Sequence, residues 1–84
     1  MTEIAVGRVT HWFGKLGVAG IELTGTLSVG DTIHIKGHTT DTTLVVESMQ
    51  NEHQAVETAG AGDDVGIKLI ERARVGDPVY RLDP

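Results

Sequence analysis

A Gly-Asp pair stands just ahead of a β-type run three times in this 84-residue chain. Gly30-Asp31 leads into Thr32-Ile33-His34-Ile35-Lys36, Gly62-Asp63 into Asp64-Val65-Gly66-Ile67-Lys68-Leu69, and Gly76-Asp77 into Pro78-Val79-Tyr80-Arg81-Leu82. Glycine supplies the positive φ of a tight turn, and aspartate hydrogen-bonds its own backbone on the way into the next strand. At this density the device predicts an all-β domain of short strands.

Strand periodicity fills in the rest. Ile4 to Thr10 alternates, but its parity breaks between Val6 and Val9, where Gly7-Arg8 predicts a β-bulge. His11 to Lys15 reads as a loop, and Leu16 to Leu23 as the second strand, with Leu16, Val18 and Gly20 on one side and Ile21 and Leu23 continuing after that glycine. Ile33 and Ile35 point inward between outward Thr32, His34 and Lys36. Thr42 to Gln50 reads as one long β-branched strand, and Asn51 to Ala59 as an extended crossover or one helical turn. Asp64 to Ile70 and Pro78 to Leu82 close the chain, with Pro78 suited to a first strand position because it has no N–H to donate. Six short strands in this length predict a small closed barrel, since closure removes exposed edges. The expected core is Val9, Val18, Ile33, Ile35, Val46, Met49, Val65, Ile67 and Val79.

The length allows one domain over residues 1–84. With no cysteine there is neither a disulfide nor a thiolate metal site, which fits a reducing compartment. Met1-Thr2-Glu3-Ile4 has no basic region or apolar stretch, and no run approaches membrane-spanning length, so a cytoplasmic chain without a membrane partner is expected. Twelve acidic against 7 basic residues give a net charge of −5, which disfavours binding to nucleic acid through counterion release alone.

Several segments in order carry a resemblance to a known family. These are Gly7-Arg8-Val9, Gly25-Thr26-Leu27-Ser28-Val29-Gly30-Asp31, Val46 to Gln50 with His53 and Val56, Ala59 to Gly66, and Val75-Gly76-Asp77-Pro78-Val79. Together they resemble the β-barrel second domain of elongation factor Tu and related translational GTPases, over Val6 to Leu82. The resemblance implies a six-stranded Greek-key barrel and, as partners, tRNA, the ribosome or a translation-related protein. The chain departs from such factors in having no Gly-x-x-x-x-Gly-Lys-Ser/Thr segment, so neither binding nor hydrolysis of GTP is expected. The segment Glu71 to Arg74 is also short beside the basic insert usual in that family. The chain thus looks like a standalone elongation-factor-like protein.

No catalytic constellation stands out. His11, His34, His38 and His53 match no ligand spacing, and Asp63-Asp64, adjacent on entry to a strand, point to opposite faces and are poorly placed as an acid–base pair. The glycine-rich Ala59 to Gly66 run precedes a strand, whereas phosphate loops precede a helix. A non-enzyme without metal or cofactor is expected. The candidate partner-binding group is Arg8, Trp12, Phe13 and Lys15, in which two aromatics beside two cations offer a stacking platform or a protein anchor. The alternative reading makes Trp12 or Phe13 a cap on the open end of the barrel, a role that does not exclude binding. Two functions follow: a non-catalytic module contacting RNA or a ribonucleoprotein, or a protein–protein interaction subunit with no nucleic-acid role.

Overall fold

The three Gly-Asp turns are built alike in the computed structural model, which describes residues 2–83. In each, the aspartate N–H donates to the carbonyl three residues back: Asp31 to Ser28 at 3.1 Å, Asp63 to Gly60 at 3.0 Å and Asp77 to Arg74 at 3.1 Å. The aspartate Oδ2 accepts the N–H of that same residue, at 2.9 Å from Ser28 and 3.0 Å from both Gly60 and Arg74. Gly30, Gly62 and Gly76 hold φ of 97°, 91° and 94°, the positive value that the third position of a type II turn requires. Each aspartate thus closes its turn twice, once through its backbone and once through its carboxylate.

Between the turns lie β1 (Thr2–Phe13), β2 (Val18–Leu23), β3 (Leu27–Ser28), β4 (Thr32–Lys36), β5 (Asp41–Val45), β6 (Met49–Asn51), β7 (Gln54–Ala55), β8 (Thr58–Ala59), β9 (Asp64–Lys68) and β10 (Pro78–Asp83). The described residues are all-β, without a helix. Eight strands form one sheet in the order β5-β4-β10-β1-β2-β9-β6-β7, and β3 pairs with β8 in a separate ribbon. Every pairing is antiparallel.

The all-β expectation holds, and the strand count and order differ from those of a closed six-stranded barrel on two points. The strands are shorter and more numerous, because the expected Thr42 to Gln50 strand is interrupted after Val45, and Asn51 to Ala59 forms a hairpin arm and a ribbon strand instead of a crossover. The strand order is also open, ending on β5 and β7, which do not pair with each other.

One apolar cluster lies inside the sheet and ribbon. It includes Val9, Ile33, Ile35, Val46, Met49, Val65, Ile67 and Val79 from the expected core, together with Val6, Ala19, Ile21, Leu23, Leu27, Ala59, Leu69 and Ala73. Val18 is corrected: it faces outward and is only half-buried. Before Gly20 the parity of β2 is the reverse of that expected, with Ala19 buried in place of Val18 and Leu16 exposed in the turn before the strand, while Ile21 and Leu23 beyond it are buried. Two irregularities in β1 also move side chains between faces. Pairing with β10 shifts between Ala5 and Gly7, and pairing with β2 shifts between Val9 and His11. Ile4 and Val6 share the inner face as expected, since Ile4 stands opposite Arg81, which in turn stands opposite the buried Ile33; Ile4 is nonetheless partly exposed, while Val6 is fully buried.

Among the described residues no helix is long and apolar enough to cross a membrane.

Candidate functional site

Beyond its bulge, β1 carries His11 and Phe13 on the same face, as strand alternation dictates for positions i and i+2. Their rings stand 4.2 Å apart between centroids, tilted by 48°. The turn that follows folds tightly on Phe13, whose carbonyl accepts the N–H of Leu16 at 3.1 Å and of Gly17 at 2.9 Å. These residues form one wall of a groove of about 430 Å³ on the outer face of the sheet.

The floor of the groove is made by residues with no side chain. A cross-strand row runs His11 on β1, Gly20 on β2, Gly66 on β9 and Gln50 on β6, each directly opposite the next. The two central positions are glycine, so a trough of bare backbone lies between the His11 and Gln50 side chains. The space is bounded closely: a Cβ on Gly20 would lie 3.3 Å from His11 Cβ, and one on Gly66 would lie 3.3 Å from Val18 Cγ1.

The opposite wall is the β6–β7 hairpin. Asn51 pairs with Gln54, leaving Glu52 and His53 as a two-residue turn. Both have positive φ, 52° and 67°, as a type I′ turn demands, yet neither is the Asn or Gly such turns favour. Both also line the groove, with Asp64. Backbone strain in non-glycine residues collects at functional sites, where the side chain is worth more than the relaxed backbone. The same hairpin also borders a second depression, of about 360 Å³, which shares Glu52 and Asp64 with the groove and is completed by Asn51, Gln54, Val56, Gly62 and Asp63.

The four residues expected to bind a partner do not form one platform. Arg8 and Phe13 lie on the outer face, but Arg8 is at the far end, beside Glu22 at 3.6 Å. Phe13 is 44% exposed. Trp12 alternates to the opposite side of β1, half-buried against the apolar core, and Lys15 sits exposed in the turn. Strand alternation separates the two aromatics that sequence adjacency had grouped. The groove residues Gly20, Gly66, Gln50 and Glu52 were not singled out from the sequence; the signal for two of them was present, since a glycine inside a strand marks close backbone approach.

A second polar cluster lies on the outer face near the β5 edge. His34 Nε2 lies 2.6 Å from Asp41 Oδ1, and its Nδ1 lies 2.9 Å from Glu3 Oε2. Both partners are carboxylates that accept, so both contacts are satisfied together only when the ring is the doubly protonated imidazolium. The hydrogen bonds to Asp41 and then to Glu3 raise the His34 pKa above its ordinary value, against a smaller opposing effect of burial. No group of three or more His, Asp or Glu among the described residues is placed to hold a metal ion.

No protein-family model matches the chain. It is similar to a Methanocaldococcus jannaschii protein described as an uncharacterised protease, with 48% identity over 81 residues, covering 95% of this chain and 20% of the relative. A Porphyromonas gingivalis protein described as a collagenase is 40% identical over 83 residues, covering 96% of this chain and 20% of the relative. Among solved structures, the fold is similar to the C-terminal domain of a Geobacillus thermoleovorans protein described as a U32 peptidase, with a TM-score of 0.87 at 19% identity, covering 96% of this chain and 93% of that one. The selenomethionine form of that domain gives a TM-score of 0.82.

These findings overturn the resemblance to elongation factor Tu and the function drawn from it as a translation-factor-like module contacting RNA. They also correct the expectation of a non-enzyme, because the curated relatives are described as a protease and as collagenases. The tRNA, ribosome or translation-related partners rested on that resemblance alone, and the findings lend them no support. The chain spans about a fifth of the length of the curated relatives it matches.

Proposed function

We infer that this chain is a β-domain of a U32-type peptidase, which holds polypeptide substrate for cleavage by the assembled enzyme. The observation that carries the reading is 48% identity along 95% of the chain to a protein described as a protease. Likeness of fold to the C-terminal domain of a protein described as a U32 peptidase supports it. The groove between Phe13 and His53 supports the role assigned to the domain. Its volume of about 430 Å³ is that of a pocket for a small molecule or for a few residues of a chain.

Two finer features belong with this reading. Residues 1–84 are assigned to one domain, in which the β3–β8 ribbon turns the open sheet of residues 2–83 into a barrel-like wrap. Supporting this, Val29 N–H donates to Glu57 O at 2.8 Å, Gly30 N–H to Val46 O at 2.8 Å and Val46 N–H to Asp31 O at 2.9 Å, joining the ribbon turn to segments beyond it. The compartment we assign is the cytoplasm, on the cysteine-free sequence, with cell fractionation as its test.

A chimera tests the main reading. The matching fifth of the Methanocaldococcus jannaschii relative is replaced by this chain, or deleted, and degradation of gelatin and of denatured casein is followed. Cleavage is expected from the intact relative and from the chimera, and its loss is expected on deletion. A deletion variant that cleaves as fast as the intact protein would overturn the assignment.

A further inference from the structure

We propose that the Gly20–Gly66 trough is a subsite for a proline-bearing segment in the polyproline II conformation, with a Lys or Arg directly beside the ring. This rests on the reading of the domain as the part of a peptidase that holds polypeptide.

The hydrogen bonding of the floor limits what can sit on it. β2 is paired on both sides, by β1 and β9, and β9 is paired on both sides, by β2 and β6. The floor therefore has no free ladder of N–H and C=O groups, and a guest cannot add to it as a further strand. It must be held by packing and by side-chain polar groups. A polyproline II segment suits such a surface, because it makes no internal hydrogen bonds and needs no ladder from its host. It also loses little conformational entropy on binding.

The shape of the trough selects for a ring. Three strand spacings separate the β1 and β6 backbones, about 14 Å, and the middle two positions of the row carry no side chain. A flat, compact ring can reach the bare backbone floor between the His11 and Gln50 side chains. The tilted His11 and Phe13 rings give it an apolar face on one side. Recognition of proline by aromatic-walled grooves works through such ring contacts.

The charge of the rim selects the neighbour. Glu52 and Asp64 stand there, and neither Lys nor Arg lines the groove among the described residues. The rim is complementary to a cation next to the seated ring and opposes a carboxylate there. Glu52 is held at the hairpin tip by a positive φ that a glycine would adopt without strain. That placement puts a carboxylate at the mouth of the trough.

Fluorescence anisotropy with the intact chain and three labelled decapeptides provides the test. One carries prolines around a central Lys, the second has Glu in place of the Lys, and the third has Ala in place of the prolines. The Lys–proline peptide is expected to bind best, with the Glu analogue about fivefold weaker and the Ala analogue about tenfold weaker. Gly66→Ala, which partly fills the trough, should weaken the Lys–proline peptide, and Glu52→Lys, at an exposed turn, should invert the preference between Lys and Glu. Equal binding of all three peptides, or no response to either substitution, overturns the subsite. If that occurs while the chimera still degrades gelatin, the groove assignment falls and the peptidase reading stands. A chimera without activity, with the peptide preferences intact, leaves the subsite standing and removes the peptidase reading.

Discussion

Gly20 on β2 and Gly66 on β9 face each other directly across an antiparallel pair, on the outer face of the sheet. A glycine inside a strand costs roughly 0.5–1 kcal/mol relative to alanine, because more backbone freedom is lost on folding. Two such residues in register keep the surface above them open and lower the stability of the sheet.

The two positions should respond differently to an added methyl. At Gly66 the neighbour 3.3 Å away is Cγ1 of Val18, the end of a half-buried side chain that can shift. Gly66→Ala should therefore stabilise the domain by about 0.5 kcal/mol. At Gly20 the neighbour is His11 Cβ, fixed to the backbone of β1, so Gly20→Ala should gain nothing or lose stability. Urea denaturation of both variants checks the contrast, and a loss at Gly66 equal to that at Gly20 would refute it.

The Glu52-His53 turn should also be less stable than it can be made. Two non-glycine residues at φ of 52° and 67° occupy a conformation that Asn-Gly adopts readily. Replacing them together by Asn and Gly should raise stability by about 1 kcal/mol. The same double variant should lose the peptide preference assigned to the groove, because it removes the rim carboxylate. Parallel denaturation and anisotropy measurements read both effects. A less stable variant would show that Glu52 or His53 makes a stabilising contact that outweighs the strain.

What was legible in the sequence is the local part of the structure. Each Gly-Asp turn needs only four consecutive residues, so its geometry follows from the residues that write it. Ile33 and Ile35 lie on a strand without irregularities, and their inward direction could be read by alternation alone. The parity of the first half of β2 and the direction of Trp12 could not, because the bulge near Thr10 flips the faces of β1 and depends on pairing with β2. The trough was hidden for a related reason. Gly20 and Gly66 are far apart in the chain and meet only through the β2–β9 register. The mistaken family has a physical origin as well: Gly-acidic turns are a local solution open to any domain of short strands, so they carry fold and not ancestry.

Asp77 should be the most consequential of the three turn aspartates. It is 6% exposed, its Oδ2 accepts the Arg74 N–H at 3.0 Å, and Gly37 packs against its carboxylate so closely that a Cβ there would overlap it. Asp77→Ala leaves a backbone donor without its partner and should cost about 2 kcal/mol. Asp31, only half-buried, should cost about 1 kcal/mol on the same substitution, since water can replace its carboxylate. Gly37→Ala should destabilise comparably to Asp77→Ala, and combining the two should cost less than the sum, because removing the carboxylate relieves the clash. Thermal and urea unfolding of this double-mutant cycle give the measurement, and strict additivity would separate the two residues.

His34 should make stability depend on pH in a definite direction. Its pKa is raised in the folded state by Asp41 first and Glu3 second, while in the unfolded chain it returns to the ordinary histidine value near 6.5. Below that value the ring is charged in both states, so the full stabilisation from the two carboxylates is present. As pH rises through the raised folded pKa, the folded state gives up its proton and the stabilisation is lost. Glu3 must reach across β10 to meet a residue on β4, so losing the bridge also loosens the outer face near the β5 edge. The melting temperature should therefore be higher at pH 6 than at pH 8.5, and the difference should shrink in Asp41→Asn and nearly vanish in His34→Gln. Nuclear magnetic resonance titration of the His34 ring locates the transition directly. A His34 that titrates below the ordinary value, or a pH dependence unchanged in His34→Gln, would show that the bridge does not contribute to stability.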